Sequence, residues 1–255
     1  MRASGGGAIV RAMTALLTML ACQDYEVHRF KQEDSFTQGD PGAGVDILWI
    51  IDDSGTMTEE QDLLVQHFDS FAEVLTFTGV DYRIGVTTTD WDAYGGKLVG
   101  DVLGPDTPDL AAAFAEQATQ GTKGSRDERP LEVARAAIGA VNPGFTRSDS
   151  GLRVIVVTDE DDHSREDVQA YLDDIALEKG SNPWALSALA GNEPDGCHSS
   201  FADATAASRL MQAVRSTDGT FESICSADFG PILSELALGT ADMTARFELS
   251  TFPEP

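Results

Sequence analysis

Two runs constrain this chain more than anything else in it: Val45-Asp46-Ile47-Leu48-Trp49-Ile50-Ile51 and Leu152-Arg153-Val154-Ile155-Val156-Val157-Thr158. A strand with one wet face alternates apolar and polar residues. A nearly unbroken apolar strand must be covered on both faces, as in a parallel sheet. Tyr82–Thr89 and Trp184–Leu189 read as further strands, Lys97–Leu103 as a third strand folding back on the second, and Thr220–Ile224 as a short one. Helical spacing of Leu64, Phe68, Phe71 and Leu75 follows the first run, with Thr58 and Gln61 at capping-box separation. Further helices are expected over 109–118, from Pro130 to about Val141, from the caps Ser164 and Asp167 to about Lys179, over 203–215 and over 228–237. Ala245–Leu249 is a candidate closing strand. Strands alternating with helices predict an α/β fold: a doubly wound, mostly parallel central sheet flanked by helices on both faces. Ligands bind such sheets at the carboxyl ends of the strands.

Both apolar runs end in chemistry at that edge. The first runs straight into Asp52-Asp53-Ser54-Gly55-Thr56, which places carboxylate and hydroxyl oxygens in a tight turn before a helix. The second ends at Asp159. Hard oxygen donors of this kind suit Mg²⁺, Mn²⁺ or Ca²⁺ rather than zinc or copper.

Asp52-x-Ser54-x-Thr56 followed by Met57 resembles the D-x-S-x-S/T metal-ion-dependent adhesion site of von Willebrand factor A (vWA) domains and integrin inserted domains. Val157-Thr158-Asp159 is similar to that family's second acidic loop. The resemblance covers residues 45 to about 240 and implies a vWA/Rossmann-like domain. It implies that Ser54 and Thr56 bind the metal directly, and that Asp52 and Asp159 bind it directly or through water. The family adds a Thr from a loop before a later helix, often in a Gly-Thr-x-Thr context. Gly121-Thr122-Lys123-Gly124-Ser125 departs from that pattern, and either Thr122 or Ser125 could supply the oxygen. The resemblance further implies an open coordination position filled by an Asp or Glu of a protein partner, with the cation offsetting the repulsion between acidic groups.

Other polar residues near these loops have plainer readings. Glu160, Asp161 and Asp162 read either as a solvated run that caps the next helix or as carboxylates that tune metal affinity or hold a second ion. Thr87–Thr89 and Asp90 end a strand at the same edge and either support the site from behind or are ordinary strand residues; His163 reads as surface and Glu128 as a first-turn helix carboxylate.

The N-terminus reads as an address. Arg2 and Arg11 precede the apolar stretch Ala12–Ala21, as in a secretory signal peptide. That stretch is shorter than the roughly 20 residues a spanning helix needs. Met19-Leu20-Ala21-Cys22 resembles the lipobox of bacterial lipoproteins, which implies lipidation of Cys22; the alternative is ordinary cleavage near Ala21. Gln23, not Asp, follows the cysteine, which by the same analogy favours the outer membrane. Residues 1–21 are then a signal peptide, 22–44 a lipidated cysteine with a flexible linker, and 241–255 a C-terminal strand and tail. With Cys22 lipidated, Cys197 and Cys225 remain, and an oxidising compartment makes a disulfide their default.

The net charge of −26 argues against a nucleic-acid partner. Of the enzymatic readings, a haloacid-dehalogenase-type phosphohydrolase comes nearest. Its D-x-D-x-T/V motif needs an acid/base where Ser54 stands. No Gly-x-Ser-x-Gly surrounds Ser54 and no motif places a His to activate it. A metal-free structural domain of a surface complex is the other alternative. The expectation is a non-enzymatic, metal-dependent binding module, lipid-anchored at the cell envelope, that touches the membrane only through its anchor.

Overall fold

The computed structural model describes residues 44–200 and 202–244, all within one structural unit. The expected signal peptide over 1–21, lipidation at Cys22, linker reaching to 44 and closing strand at 245–249 fall, but for Gly44, outside the described residues.

In chain order the elements are β1 (Val45–Ile51), α1 (Thr58–Thr78), β2 (Tyr82–Thr88), α2 (Trp91–Tyr94), α3 (Leu110–Ala118), α4 (Pro130–Ile138), β3 (Gly151–Val157), α5 (Val168–Lys179), β4 (Trp184–Ala190), β5 (Cys197–His198), β6 (Asp203–Ala204), α6 (Ser208–Ser216), β7 (Phe221–Ser223) and α7 (Gly230–Asp242). The main sheet has the order β2-β1-β3-β4-β7, and every neighbouring pair in it is parallel. The fold is the expected α/β one, a parallel five-stranded sheet flanked by helices.

The unalternating runs are buried on both faces, as their composition requires. Ile47, Trp49 and Ile51 of β1 join a core with Leu64, Phe68, Phe71 and Leu75 of α1, Phe114 of α3 and Leu233 of α7. Leu48 and Ile50 point into the opposite core, with Leu131 and Ala134 of α4, Tyr171 of α5 and Leu210 of α6. Trp49 organises the first core: its ring sits edge-on to Phe71 at 5.2 Å and to Phe114 at 5.4 Å. Such contacts add to the area term.

Register positions the site. Ile51 lies opposite Thr88 on one side and Val157 on the other, so β1, β2 and β3 end level. The chain leaves β1 for β2 on one flank and returns to β3 on the other, which makes the β1/β3 boundary a topological switch point. A crevice opens outside the strand ends at such a point. Asp52 and Asp159 flank it.

Several local expectations are corrected. Lys97–Leu103 is not a ladder strand: it runs beside β2, touching it through the antiparallel Ile84–Leu103 bridge and the Val99 N–H, which donates to the Val86 carbonyl at 2.7 Å. Residues 203–207 are not helical; Asp203–Ala204 pairs with Cys197–His198 in a small antiparallel hairpin, and α6 begins at Ser208. The helix expected over 228–237 runs on to Asp242, and α4 stops at Ile138 before Gly139. Thr58 and Gln61 form no capping box. Met57 precedes α1 without a side-chain cap, and Gln61 serves the site instead. Ser164 and Asp167 do not cap α5 through their side chains. Ser164 accepts the Glu132 N–H at 2.9 Å and so caps α4, a helix earlier in the chain.

Candidate metal centre

The loop after β1 is wound around its first carboxylate. Asp52 Oδ1 accepts the Ser54 N–H at 2.7 Å, and Oδ2 accepts the Thr158 hydroxyl at 2.6 Å. These two bonds tie the ends of β1 and β3 together through one side chain. Ser54 Oγ lies 3.5 Å from Thr56 Oγ1, which brings the two hydroxyls of the motif to one place. Ser54 is buried and Thr56 is exposed, so the turn opens outward through Thr56.

Asp159 is buried at the end of β3, with Oδ1 free of any hydrogen-bond partner. The Thr56 hydroxyl interacts with it, which links the two loops a second time. The Asp159 carbonyl accepts the Thr205 N–H at 2.9 Å and so anchors the β5–β6 hairpin to this edge. The disulfide between Cys197 and Cys225 joins β5 to the turn after β7. The expected pairing is therefore present, and it braces the flank of the site.

The 121–125 loop is drawn in by its backbone. Gln61 donates to the Asp52 carbonyl at 2.8 Å and the Gly121 carbonyl at 3.0 Å, and accepts the Gly121 N–H at 3.2 Å. The Gly124 N–H donates to the Asp53 carbonyl at 2.8 Å. A Cβ at Gly124 would stand 2.2 Å from Asp53 Oδ1, so any larger residue would displace the Asp53 carboxylate from this position. The Ser125 N–H donates to Asp90 Oδ2 at 3.1 Å, while its Oγ accepts the Asp127 N–H at 2.9 Å. Thr122 is half-buried in the same loop.

Three buried carboxylates at this edge, Asp53, Glu60 and Glu128, were not singled out as ligands from sequence. Glu128 is not a first-turn helix residue. It precedes α4, is fully buried, and neither of its carboxylate oxygens makes a well-formed hydrogen bond. Oxygens of Asp52, Asp53 and Glu128 all lie within 4.8 Å of one another. Glu60, in the first turn of α1, is also buried, with Oε2 unpartnered. Among the described residues no Lys, Arg or His pairs with any of these carboxylates; Arg129 turns to Asp127 and Glu132, and Arg209 to Asp162.

The electrostatic consequence is uniform. Burial, chiefly, and the Asp159 charge push Asp52 up to about 7, against the pull of its hydrogen bonds. Burial and then Asp90 push Asp53 to about 6. Burial, with Asp159, Glu59 and Asp52, takes Glu60 to about 7. Burial, then the Asp52, Asp53 and Glu160 charges, take Glu128 to about 8 against the pull of the Thr89 hydroxyl. Asp159 is raised too, by burial above all. Crowded acids that water cannot reach hold their charge poorly until a cation joins them. The donor set, all oxygen with several atoms lacking a partner, fits a hard divalent cation.

The acidic run after Asp159 has a different job. Asp161 accepts the Arg209 and Leu210 N–H groups at the start of α6, and Asp162 accepts the Leu131 N–H at the start of α4. They cap helices, though not the helix that follows them. Thr87 donates to the Lys97 carbonyl and Asp90 accepts the Ala93 N–H, holding the strand end and α2. His163 is an exposed residue.

No protein-family model and no curated protein matches the chain. Solved structures do. The pilus adhesin SpaC from Lactobacillus rhamnosus GG matches at a TM-score of 0.52 and 14% identity, over 82% of this chain and 31% of the adhesin. Proximal thread matrix protein 1 from the mussel byssus, with a zinc-occupied MIDAS motif, matches at 0.51 and 13%, over 85% of this chain and 49% of that one. A von Willebrand factor type A protein from Catenulispora acidiphila is 18% identical, over 79% of this chain and 43% of its own, at a TM-score of 0.46. The chain thus spans a third to a half of the structures it resembles. At these identities the likeness is one of fold.

Proposed function

We propose that this chain is an exported cell-envelope module that binds a divalent cation at the edge built by β1 and β3, and through it an acidic side chain of a protein partner. The carrying observation is the set of buried, unpartnered carboxylate oxygens at the level ends of adjacent parallel strands. Asp52, Ser54, Thr56 and Asp159 would hold the cation, with Thr122 or Ser125 the hydroxyl donors offered by the third loop. Mg²⁺ is the first choice, with Mn²⁺ and Ca²⁺ suited to the same oxygens. When bound, the ion neutralises the crowded acids and offers a Lewis-acidic position to an incoming carboxylate.

The protein's own part is rigidity and access. Thr158 and Ser54 fix the Asp52 carboxylate in one orientation, and Gln61 locks two loops to α1. Thr56 marks the open side, where a partner would approach. Two of the fold neighbours are an adhesin and a thread matrix protein with a metal-occupied MIDAS motif, which supports a binding role by analogy of fold alone. The disulfide supports an oxidising compartment. Lipidation at Cys22, after a signal peptide over 1–21, would tether the module to the outer membrane or cell surface. Among the described residues no helix is long and apolar enough to cross a membrane.

The test uses immobilised peptides that differ only in a central Asp, Glu, Asn or Gln, with Mg²⁺ or with chelator. Retention of the protein on Asp or Glu peptides only when Mg²⁺ is present, and its loss in Asp52→Ala, is the expected result. Equal retention with chelator, or on Asn peptides, overturns the bridging role.

A further inference from the structure

We infer that Glu128 is itself a cation ligand, supplying with Asp52 and Asp53 a three-carboxylate wall in the place where the family resemblance puts a neutral hydroxyl. This rests on the cation site proposed above and changes its chemistry. The resemblance asks for an oxygen from a loop before a later helix. Here that loop ends at Glu128, and α4 begins two residues on, at Pro130.

Three independent features place Glu128 in that role. Its backbone is pinned on both sides: it bridges to Asp90 at the end of β2, its carbonyl accepts the His163 N–H at 2.7 Å, and the adjacent Arg129 N–H donates to the Thr89 carbonyl at 3.2 Å. Its side chain is 0% exposed; neither oxygen makes a well-formed hydrogen bond, the Thr89 hydroxyl being its one polar helper, and one of them lies within 4.8 Å of an oxygen of Asp52 and of Asp53. No neighbouring base relieves it, because the Arg129 guanidinium turns to Asp127 and Glu132. A carboxylate held this way is costly unless a cation completes it. The hydroxyl alternatives are placed less well. Ser125 Oγ already takes the Asp127 N–H within its own loop.

The function of the 121–125 loop follows. Gly124 lets its backbone close over Asp53, and Gln61 and Asp90 hold its two ends, so the loop walls the site. A wall with three carboxylates favours a hard divalent ion and binds it without help from a partner.

The experiment is a titration of the whole protein with Mn²⁺, reading free ion by electron paramagnetic resonance, for wild type, Glu128→Gln, Glu128→Thr and Asp52→Ala. Urea unfolding of each metal-free protein runs alongside. The inference predicts at least a tenfold loss of Mn²⁺ affinity in Glu128→Gln and in Glu128→Thr, with metal-free Glu128→Gln unfolding at the same or higher urea than wild type. Wild-type affinity in either folded variant overturns it and leaves Glu128 as a buried neutral acid. If Asp52→Ala abolishes binding while the Glu128 variants bind normally, only this inference falls. If the wild type binds no Mn²⁺, the cation reading falls and this one with it.

Discussion

Asp52 spends both oxygens on hydrogen bonds and is still raised to about 7, while Glu128 and Glu60, with unpartnered oxygens, stand at about 8 and 7. Burial is the first cause in each, and neighbouring carboxylates add to it. The sign of the pH dependence follows. A carboxyl whose folded value exceeds its unfolded one, near 4, favours the folded state while protonated. That advantage is complete below pH 4 and is lost as pH rises through 7 and 8. Metal-free protein should therefore lose resistance to urea between pH 5 and pH 8.5, and saturating Mg²⁺ should flatten or reverse the trend. Urea melts across that range, after dialysis against chelator, check it. A metal-free midpoint that rises toward pH 8.5 would contradict the assignment of these groups as crowded acids.

Among the elements, strands buried on both faces were legible because nothing else in a chain of this composition accommodates an unalternating apolar run. β1, β3 and β4 fall within a residue of their expected bounds. The sheet margins were not. Lys97–Leu103 has strand-like residues, but it makes only scattered bonds to β2. The β5–β6 hairpin is two residues a side and depends on a disulfide and on the Asp159 carbonyl, neither of which leaves a periodic trace. The site divided the same way. Asp52, Ser54, Thr56 and Asp159 stand at strand ends, where sequence order and space coincide. Glu128 reaches them through backbone pairing with Asp90, 38 residues earlier, and looks locally like any acid before a helix. Asp162 was read as solvated, yet it is buried, capping α4 and pairing with Arg209 at 2.9 Å. Replacing it with Ala takes the acceptor from the Leu131 N–H, the Ser164 hydroxyl and the Arg209 Nε–H, while the rest of that guanidinium keeps the Ser164 and Glu166 carbonyls. The cost should be about 2 kcal/mol in urea melts, with cation affinity unchanged. A loss of affinity with stability intact would return the acidic run to the site.

For the molecule as a whole, the binding edge is a junction of long-range ties. The β1–β3 ends, the 121–125 loop, the hairpin and the turn after β7 come from separate parts of the chain and lie along the carboxyl edge of the sheet. The Cys197–Cys225 bond closes the last of these ties across a sequence separation of 28. Loop-closure entropy for that span gives about 3–4 kcal/mol of stabilisation. Cys197→Ser with Cys225→Ser should lose stability on that order by urea melts, and should weaken cation binding only modestly, because Asp52 and its partners are held by β1 and β3. Abolished binding in a folded double variant would move the hairpin into the site itself.

The most direct measurement of the central claim is calorimetric titration of the protein with Mg²⁺, Mn²⁺ and Ca²⁺, beside Asp52→Ala and Ser54→Ala. Saturable binding of one ion by the wild type, lost in both variants while they remain folded, is the predicted result. No heat of binding in the wild type, or the same binding in all three proteins, would contradict the cation site and leave a parallel α/β fold whose function lies elsewhere on its surface.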